Sequence, residues 1–343
     1  MIKEAINIIV SGKSLTMEQA AQVMEEMTSG QVTPAQFGAF VTTLRMKGET
    51  ADEIAGLANV MRAKAVRVMT TEPVIDIVGT GGDGSNSFNI STAAAFVAAG
   101  AGIRVAKHNN RAMSSHCGSA DVLEALGVRI ELDARQVEAC LKQVGIGFMF
   151  APAFHPATKF ASVPRREIGI RTVFNILGPL TNPAQAIFQV IGAPSEELGE
   201  KLIQVLLRLG SKHSLVVHGL DGMDELSIGG QSRVWELRDS EITSFYISPE
   251  DFGLTRSGAE AIKGGTPAEN AAMLRSVLEG EKGSRRDVVL MNAAAGMVVG
   301  NKTKHASGLP ALQEGLEIAR DAIDSGRALD KLKLLVKVSQ GLG

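Results

Sequence analysis

The segment at residues 74–92 constrains the fold of this chain more than any other part of the sequence. A short apolar run, VIDIV, leads into GTGGDGSNSFNIST, and the Ala-rich residues 93–99 follow. This order predicts a buried strand, a glycine-rich loop and a helix. Glycines let backbone N–H groups approach an anion closely, and the helix N-terminus adds the positive end of its dipole. The segment therefore predicts a phosphate-binding loop at the end of a strand.

The same loop matches a dinucleotide-binding pattern, but its surroundings disfavour that interpretation. Gly79, Gly81 and Gly84 fit G-x-G-x-x-G, which is a weak signal alone. A dinucleotide site also needs an acidic residue about 20 positions on, and the next predicted strand instead runs into the basic segment KHNNR at residues 107–111. No Gly-Lys-Ser/Thr follows, so a P-loop is absent too. The remaining alternative is a loop that only turns, with Asn89 and its neighbours capping the helix.

Carboxylates stand beside the predicted phosphate site. Asp83 lies inside the loop, where it repels a phosphate unless a cation or sugar hydroxyls intervene. The pair Asp224–Glu225 follows a predicted strand at residues 214–217. Adjacent loop carboxylates are plausible Mg²⁺ ligands, and a solvated turn explains the same pair equally well.

A second unusual region lies at residues 155–183. Arg165, Arg166 and Arg171 fall close together and precede FNILGPLTNP at residues 174–183. An arginine there can hold a carboxylate through two hydrogen bonds. Surface arginines on a helix are the alternative, and the residues alone leave both open.

The start of the chain is predicted to be helical. Thr16, Thr33 and Thr50 each precede Gln or Glu by three residues, which is the capping-box pattern. We predict helices near residues 2–11, 17–28, 34–47 and 51–64, forming a packing or dimer-forming bundle. Further on, we predict strands at residues 187–191 and a hairpin at 234–247. Helices are expected at 195–209, 267–280, 286–299, 309–325 and 327–339.

Composition narrows the class of protein. The chain has 343 residues, 45% of them apolar, and a net charge of −2. This suits a globular protein of about two domains and disfavours a general nucleic-acid binder. No apolar run is long enough to span a bilayer and the N-terminus does not resemble a signal peptide. With Cys117 and Cys140 interpreted as reduced thiols, we expect a cytoplasmic protein.

Five motifs in one order make the resemblance specific. They are GTGGD at 79–83, KHNNR at 107–111, GSADVLEALG at 118–127, RTVFNILGPLTNP at 171–183 and the pair Asp224–Glu225. Together they resemble the anthranilate phosphoribosyltransferase family over nearly the whole chain. The resemblance implies an α/β fold like that of the pyrimidine nucleoside phosphorylases, with a small all-helical domain and a larger domain built on a central, mostly parallel sheet. The helical domain is expected at residues 1–70 plus about 166–183, and the α/β domain at 71–165 and 184–343.

The resemblance also implies an activity. The family transfers the phosphoribosyl group of phosphoribosyl pyrophosphate (PRPP) to anthranilate, releasing pyrophosphate, in tryptophan biosynthesis. It implies a Mg²⁺-dependent homodimer with two Mg²⁺ per monomer, and neither nucleic acid nor membrane as a partner. No acid or base is assigned, because the anthranilate amine is already neutral at pH 7.

Site residues follow from the resemblance by position. The expected PRPP site comprises Gly79, Gly81, Gly82, Asp83, Ser87, Asn89, Ser91, Thr92, Lys107 and Ser119. The expected anthranilate site comprises Gly79, His108, Asn110, Arg165 and Gly178. The expected Mg²⁺ ligands are Ser91, Asp224 and Glu225.

Three positions depart from the family pattern. Asn109 replaces a usual Gly, His116 stands where Lys is expected, and Val163–Pro164 reverses the usual order. The usual Gly serves either a positive φ or room for the ligand beside the backbone. Asn tolerates the left-handed backbone region better than most residues, so we favour the first reason and predict a positive φ at Asn109.

Two alternatives share the fold. One is a pyrimidine nucleoside phosphorylase, against which Arg165 and the GPLTNP run argue. The other is a non-catalytic relative that binds nucleic acid, against which Arg165, Asn110 and the net charge of −2 argue.

Overall fold

Four helices open the chain, as the capping patterns predict. The structure, a computed structural model, describes residues 1–112 and 116–342. In each of the last three opening helices the N-cap Thr accepts from the N3 backbone N–H, and the N3 side chain binds the N-cap N–H in return. These reciprocal bonds satisfy backbone donors that the helix leaves unpaired, and the four predicted helices are confirmed. They are α1 (Ile2–Val10), α2 (Met17–Thr28), α3 (Pro34–Lys47) and α4 (Ala51–Lys64).

A seven-stranded sheet forms the centre of the molecule, in the order β3-β2-β1-β4-β5-β6-β7. The first five strands are parallel and the last two add antiparallel as a hairpin. The predicted mostly parallel sheet and the predicted hairpin are therefore confirmed. The strands are β1 (Ile75–Gly79), β2 (Val105–Asn109), β3 (Ile146–Phe150), β4 (Phe188–Gly192), β5 (His213–Gly219), β6 (Ser232–Arg238) and β7 (Glu241–Ile247).

Helices cover both faces of the sheet. Two of them, α5 and α13, are buried on nearly every side. Among the residues described, no helix is both long enough and apolar enough to cross a membrane. The remaining helices are α5 (Ile90–Gly100), α6 (Ser119–Ala125), α7 (Ala134–Gln143), α8 (Ala151–Phe154), α9 (Ser162–Ile168), α10 (Phe174–Leu180), α11 (Glu196–Arg208), α12 (Pro267–Leu278), α13 (Ser284–Val299), α14 (Gly308–Asp324) and α15 (Arg327–Gly341), with 3₁₀ turns at Pro156–Ala161, Pro249–Phe252 and Ala259–Ile262.

Two hydrophobic cores lie on opposite faces of the sheet. Ile75 and Ile77 of β1 belong to the core formed with α5 and α13, whereas Val78 belongs to the other. This alternation is the two-residue period of a strand buried on both faces. The second core joins the sheet to the opening helices, α10 and α11.

The chain returns to the opening helices after β3. The ring of Phe37 on α3 lies 5.8 Å from that of Phe160 and 5.2 Å from that of Phe174 on α10. Residues distant in sequence thus complete the packing of the helical bundle. The exact division of the chain into two domains stays a prediction.

Candidate active site

A single cleft gathers most of the predicted site residues. Its volume is about 440 Å³, and it lies where β1, β2 and β5 end. The carboxyl ends of parallel strands are the usual place for a ligand in such a sheet. Thr92 and Lys107 lie behind its wall and contact residues that line it. The lining includes Gly79, Gly81, Gly82, Asp83, Ser87, Asn89, Ser91, His108, Asn110, Ser119, Arg165, Gly178, Asp224 and Glu225.

The glycine loop after β1 needs its glycines for two reasons. Gly81 and Gly82 have positive φ values of 69° and 76°, a region that side chains other than Gly rarely adopt. A Cβ on Gly82 would also collide with the guanidinium of Arg171, and one on Gly79 with the carboxylate of Asp224. The loop therefore brings an arginine and a carboxylate directly against its backbone.

Lys107 is a buried cation beneath the loop. Its Nζ donates to the carbonyl oxygen of Ile77 at 2.6 Å and to Ser91 Oγ at 3.3 Å. Burial lowers the pKa of Lys107, and the carboxylates of Asp76 and Glu225 oppose this. Positive charge is thus held behind the N-terminus of α5, where an anion in the cleft would benefit from it.

The predicted metal ligands Asp224 and Glu225 lie on the facing wall. The backbone N–H of Gly81 donates to Asp224 Oδ2 at 2.6 Å. Burial and the nearby charge of Asp83 raise the pKa of Asp224 to about 7. Burial and the charge of Asp224 raise the pKa of Glu225 well above its usual value. Two buried carboxyl groups with raised pKa values, with the charge of Asp83 beside them, form a site that a cation would stabilise.

Protein groups alone do not make a complete metal site here. Within residues 1–112 and 116–342, no three His, Cys, Asp or Glu side chains converge as ligands of one metal ion. Mg²⁺ commonly binds through one or two carboxylates together with the phosphates of a substrate. Asp224 and Glu225 beside a phosphate-binding loop fit that pattern of ligands.

The other end of the cleft is aromatic and mostly uncharged. The rings of His108 and His155 lie 4.9 Å apart, and His108 Nδ1 is 3.2 Å from the carbonyl oxygen of Gly178. Burial, with the charge of His155 as a second cause, lowers the pKa of His108 to about 3. Burial also lowers the pKa of His155 to about 4. Both imidazoles are therefore neutral at physiological pH.

Arg165 places a positive charge beside this pocket. Its guanidinium carbon lies 5.6 Å from the centre of the Phe174 ring, within the range of a cation–π contact. Burial lowers the pKa of Arg165, but the guanidinium stays charged. An aromatic molecule that bears a carboxylate matches this pocket, because its ring can face the aromatic side chains and its carboxylate can face Arg165.

The predicted positive φ at Asn109 is wrong. Asn109 is the last residue of β2 and pairs with Phe150 of β3, so its backbone is extended. Its Nδ2 donates to Ser119 Oγ at 2.9 Å, and its Oδ1 accepts from the N–H of Asn110 at 2.8 Å. The strand pairing fixes the backbone, and the side chain instead connects β2 to α6.

The predicted capping of α5 by side chains is also wrong. Asn89 occupies the N-cap position, but its side chain makes no capping hydrogen bond. Asn89 Oδ1 accepts from Asn270 Nδ2 at 2.9 Å, and its own Nδ2 donates to the carbonyl oxygen of Cys117 at 3.1 Å. These tertiary partners orient Asn89 at the edge of the cleft.

Several residues near the site were not predicted as site residues, and three of them have a clear place in it. His155 and Arg171 line the cleft, and Asn270 supports Asn89. The sequence did contain a signal for Arg171, because it is one of three arginines in a short segment that could bind an anion. Nothing local marked Asn270, since its partner lies 181 residues away.

The other two departures lie around this site. His116 is exposed and does not line the cleft. Val163 is half exposed and Pro164 is buried in the first turn of α9, where a proline costs little. The helix that carries Arg165 therefore forms with the reversed pair.

The chain matches two families along its length. Residues 71–329 match the family described as "Glycosyl transferase family, a/b domain". Residues 3–65 match "Glycosyl transferase family, helical bundle domain". The two matches cover the sheet with its helices and the opening helices, respectively.

Full-length relatives are similar throughout. An anthranilate phosphoribosyltransferase of Dehalococcoides mccartyi is 61% identical over 344 residues, covering 100% of this chain and 99% of that protein. The crystal structure of the Thermus thermophilus anthranilate phosphoribosyltransferase has a TM-score of 0.91 and 43% identity, covering 98% and 99% of the two chains. That of Saccharomyces cerevisiae in complex with PRPP and Mg has a TM-score of 0.88 and 28% identity, covering 99% and 98%. The yeast enzyme also has a structure with 4-fluoroanthranilate.

Proposed function

This chain belongs to the anthranilate phosphoribosyltransferases of the glycosyl transferase family, and we propose on that basis that it transfers the phosphoribosyl group of PRPP to the amine of anthranilate. The products are N-(5-phosphoribosyl)anthranilate and pyrophosphate, in tryptophan biosynthesis. One observation carries the proposal: a single cleft joins an anion-binding glycine loop and an acidic pair to an aromatic pocket that contains Arg165.

The glycine-loop end of the cleft is assigned to PRPP. Backbone N–H groups and the N-terminus of α5 attract phosphate, and buried Lys107 adds a full positive charge. Charge develops on the pyrophosphate oxygens as the bond to the ribose breaks, so fixed donors favour the transition state. The assigned residues are Gly79, Gly81, Gly82, Asp83, Ser87, Asn89, Ser91, Thr92, Lys107 and Ser119.

Mg²⁺ is assigned to Asp224, Glu225 and Ser91, with two ions per chain. The support is the crowding of buried carboxylates and the Mg found with PRPP in the yeast relative. When bound, Mg²⁺ supplies positive charge that stabilises the departing pyrophosphate. Asp224 itself holds this negative wall close to the glycine loop by accepting from the Gly81 N–H.

Anthranilate is assigned to the aromatic end. Arg165 binds the carboxylate, and Gly79, His108, Asn110 and Gly178 form the surrounding wall. His108 and His155 stay neutral, so they offer ring surface without adding charge. The amine attacks as the free base, and holding it against the ribose supplies much of the rate. No residue is assigned as a general acid or base.

We also assign a homodimer and a cytoplasmic location to this protein. Val10 on α1 and Met46 on α3 are large apolar side chains with 67% and 82% exposure. Exposed apolar groups on neighbouring helices suit a subunit contact. Cys117 and Cys140 are free thiols, which suits a reducing compartment. The net charge of −2 supports the exclusion of nucleic acid as a partner.

One assay tests the activity. Purified protein is mixed with Mg²⁺, PRPP and anthranilate, and the loss of anthranilate fluorescence is followed. We expect loss that requires all three components. No loss in the complete mixture, or phosphorolysis of a pyrimidine nucleoside instead, would overturn the proposal.

A further inference from the structure

Asn292 binds the backbone N–H and the backbone carbonyl of the residue directly beyond the acidic pair. Its Oδ1 accepts from the N–H of Leu226 at 2.9 Å, and its Nδ2 donates to the carbonyl oxygen of Leu226 at 3.0 Å. The second hydrogen of Nδ2 is directed to the carbonyl oxygen of Val288, at 2.9 Å, one turn earlier in α13. The side chain is fully buried, so its amide uses these contacts in place of water.

The position of Leu226 gives these bonds their significance. Leu226 directly follows Glu225, and its own side chain is fully buried. A buried amide that lost these partners would be costly, so the pairing fixes the backbone at this point. The loop carrying Asp224 and Glu225 is thereby attached to α13, which packs beneath the sheet.

The loop that carries Asp224 and Glu225 needs this attachment because the negative charges of these side chains and of Asp83 lie close together. Asp224 and Glu225 are adjacent buried carboxylates, and Asp83 Oδ2 lies 3.5 Å from the backbone nitrogen of Asp224, so their negative charges repel one another. Without a cation, this repulsion favours a loop that has moved apart. Asn292 is neutral and can hold the backbone in place without adding to the repulsion.

We propose that Asn292 is a positioning residue that holds the Asp224–Glu225 loop in the arrangement that binds Mg²⁺. This inference rests on the proposed function, because it takes those carboxylates as the metal ligands. Asn292 lies on α13, behind these carboxylates. It acts on them only through its hydrogen bonds to the backbone of Leu226. Partners behind the ligands of a metal typically change its affinity by roughly 10- to 100-fold when they are removed.

The test compares Asn292→Asp and Asn292→Ala with a control on the same helix. Asn292→Asp keeps the shape but loses both hydrogen bonds donated by Nδ2. The control is Val289→Ala, which removes buried apolar volume from α13 and keeps the Asn292 side chain that binds Leu226. Mn²⁺, which prefers similar oxygen ligands, serves as the probe, and its binding is measured by electron paramagnetic resonance with and without PRPP. The Mg²⁺ concentration for half-maximal rate is measured in parallel.

We expect both Asn292 variants to weaken Mn²⁺ binding and raise the half-saturating Mg²⁺ concentration, by roughly tenfold or more. Val289→Ala should lower the melting temperature and leave both metal measurements unchanged. Metal affinities that match those of the control would overturn the inference. If the wild-type protein neither bound Mn²⁺ nor needed Mg²⁺, the proposed metal site itself would fail instead.

A measurement on the unmodified protein covers the case in which the variants do not fold. The Leu226 amide should exchange its hydrogen slowly without Mg²⁺, because Asn292 already holds it. Fast exchange of that amide that slowed only when Mg²⁺ and PRPP were added would contradict the proposed role.

Discussion

Asn109 Nδ2 donates a hydrogen bond to Ser119 Oγ across 2.9 Å, joining the end of β2 to the start of α6. The hydroxyl of Thr92 on α5 donates to the same oxygen at 3.1 Å. Ser119 thus connects three elements at the PRPP end of the cleft. A change at Asn109 should therefore affect PRPP before it affects anthranilate.

Asn109→Gly should lower stability and weaken PRPP binding. It removes two side-chain hydrogen bonds and adds backbone freedom at a strand end, each worth about 1 kcal/mol. We expect a several-fold rise in the KM for PRPP, measured by steady-state kinetics. Denaturant unfolding measures the loss of stability in parallel. Asn301→Gly is the matched control, because Asn301 already has a positive φ of 53° that suits glycine. A gain in kcat/KM for PRPP would instead mean that Asn109 obstructs the ligand.

Replacing the acidic pair should separate activity from stability. Asp224→Asn with Glu225→Gln removes the metal ligands, so Mg²⁺-dependent turnover should fall sharply. Folding should be retained or improved, because two mutually repelling buried charges disappear. Turnover across a Mg²⁺ titration and thermal unfolding measure the two effects. Asp239→Asn, in an exposed turn, is the control, and wild-type turnover in the double variant would refute the assignment.

Arg165→Ala should raise the KM for anthranilate more than the KM for PRPP. A hydrogen bond to a charged group is worth about 1.5–3 kcal/mol, or roughly ten- to over a hundredfold. Arg166→Ala removes an exposed neighbour of the same type and should change neither constant greatly. Equal effects of Arg165→Ala on both substrates would show that it does not select for anthranilate.

Acid should destabilise the protein through His108 and His155. Burial lowers their pKa values to about 3 and about 4, below the ordinary value of about 6.5. A lowered pKa in the folded state means that the unfolded chain takes up protons first. The free energy of unfolding is therefore highest above pH 6.5 and decreases as the pH falls towards 3. For each histidine the decrease approaches about 1.4 kcal/mol per pH unit within this interval.

Denaturant unfolding at a series of pH values checks this dependence. His155→Asn should flatten the loss of stability between pH 6.5 and 4. His305→Asn is the control, because His305 is an exposed histidine elsewhere on the molecule. An unchanged slope in His155→Asn would contradict the burial argument.

Local signals in the sequence predicted the elements well. The capping box that begins α2 at Thr16 lies within four residues, and the glycine loop between β1 and α5 is evident from its composition. Such patterns can be recognised in a sequence because the residues that interact are only a few positions apart in the chain.

The sequence did not reveal the side-chain partners that only the fold brings together. Asn89 binds Asn270, 181 residues on, and Lys107 is buried against Ile77 and Ser91. Arg111 pairs with Asp121 and Glu124, so its charge is partly neutralised before any phosphate arrives. Periodicity and spacing carry no information on such tertiary pairs, and only the fold reveals them.

The packing of Phe37 against Phe160 and Phe174 has a consequence for how the protein is made. The ribosome delivers α1 to α4 first, long before the aromatic residues that cover α3 exist. During synthesis, the apolar face of the opening helices therefore stays exposed until these later residues have been made. Exposed apolar surface of this kind makes a nascent chain prone to aggregate. A gene fragment ending after α4 would leave that face permanently open, so the bundle should be produced in soluble form only from a gene that continues through α10.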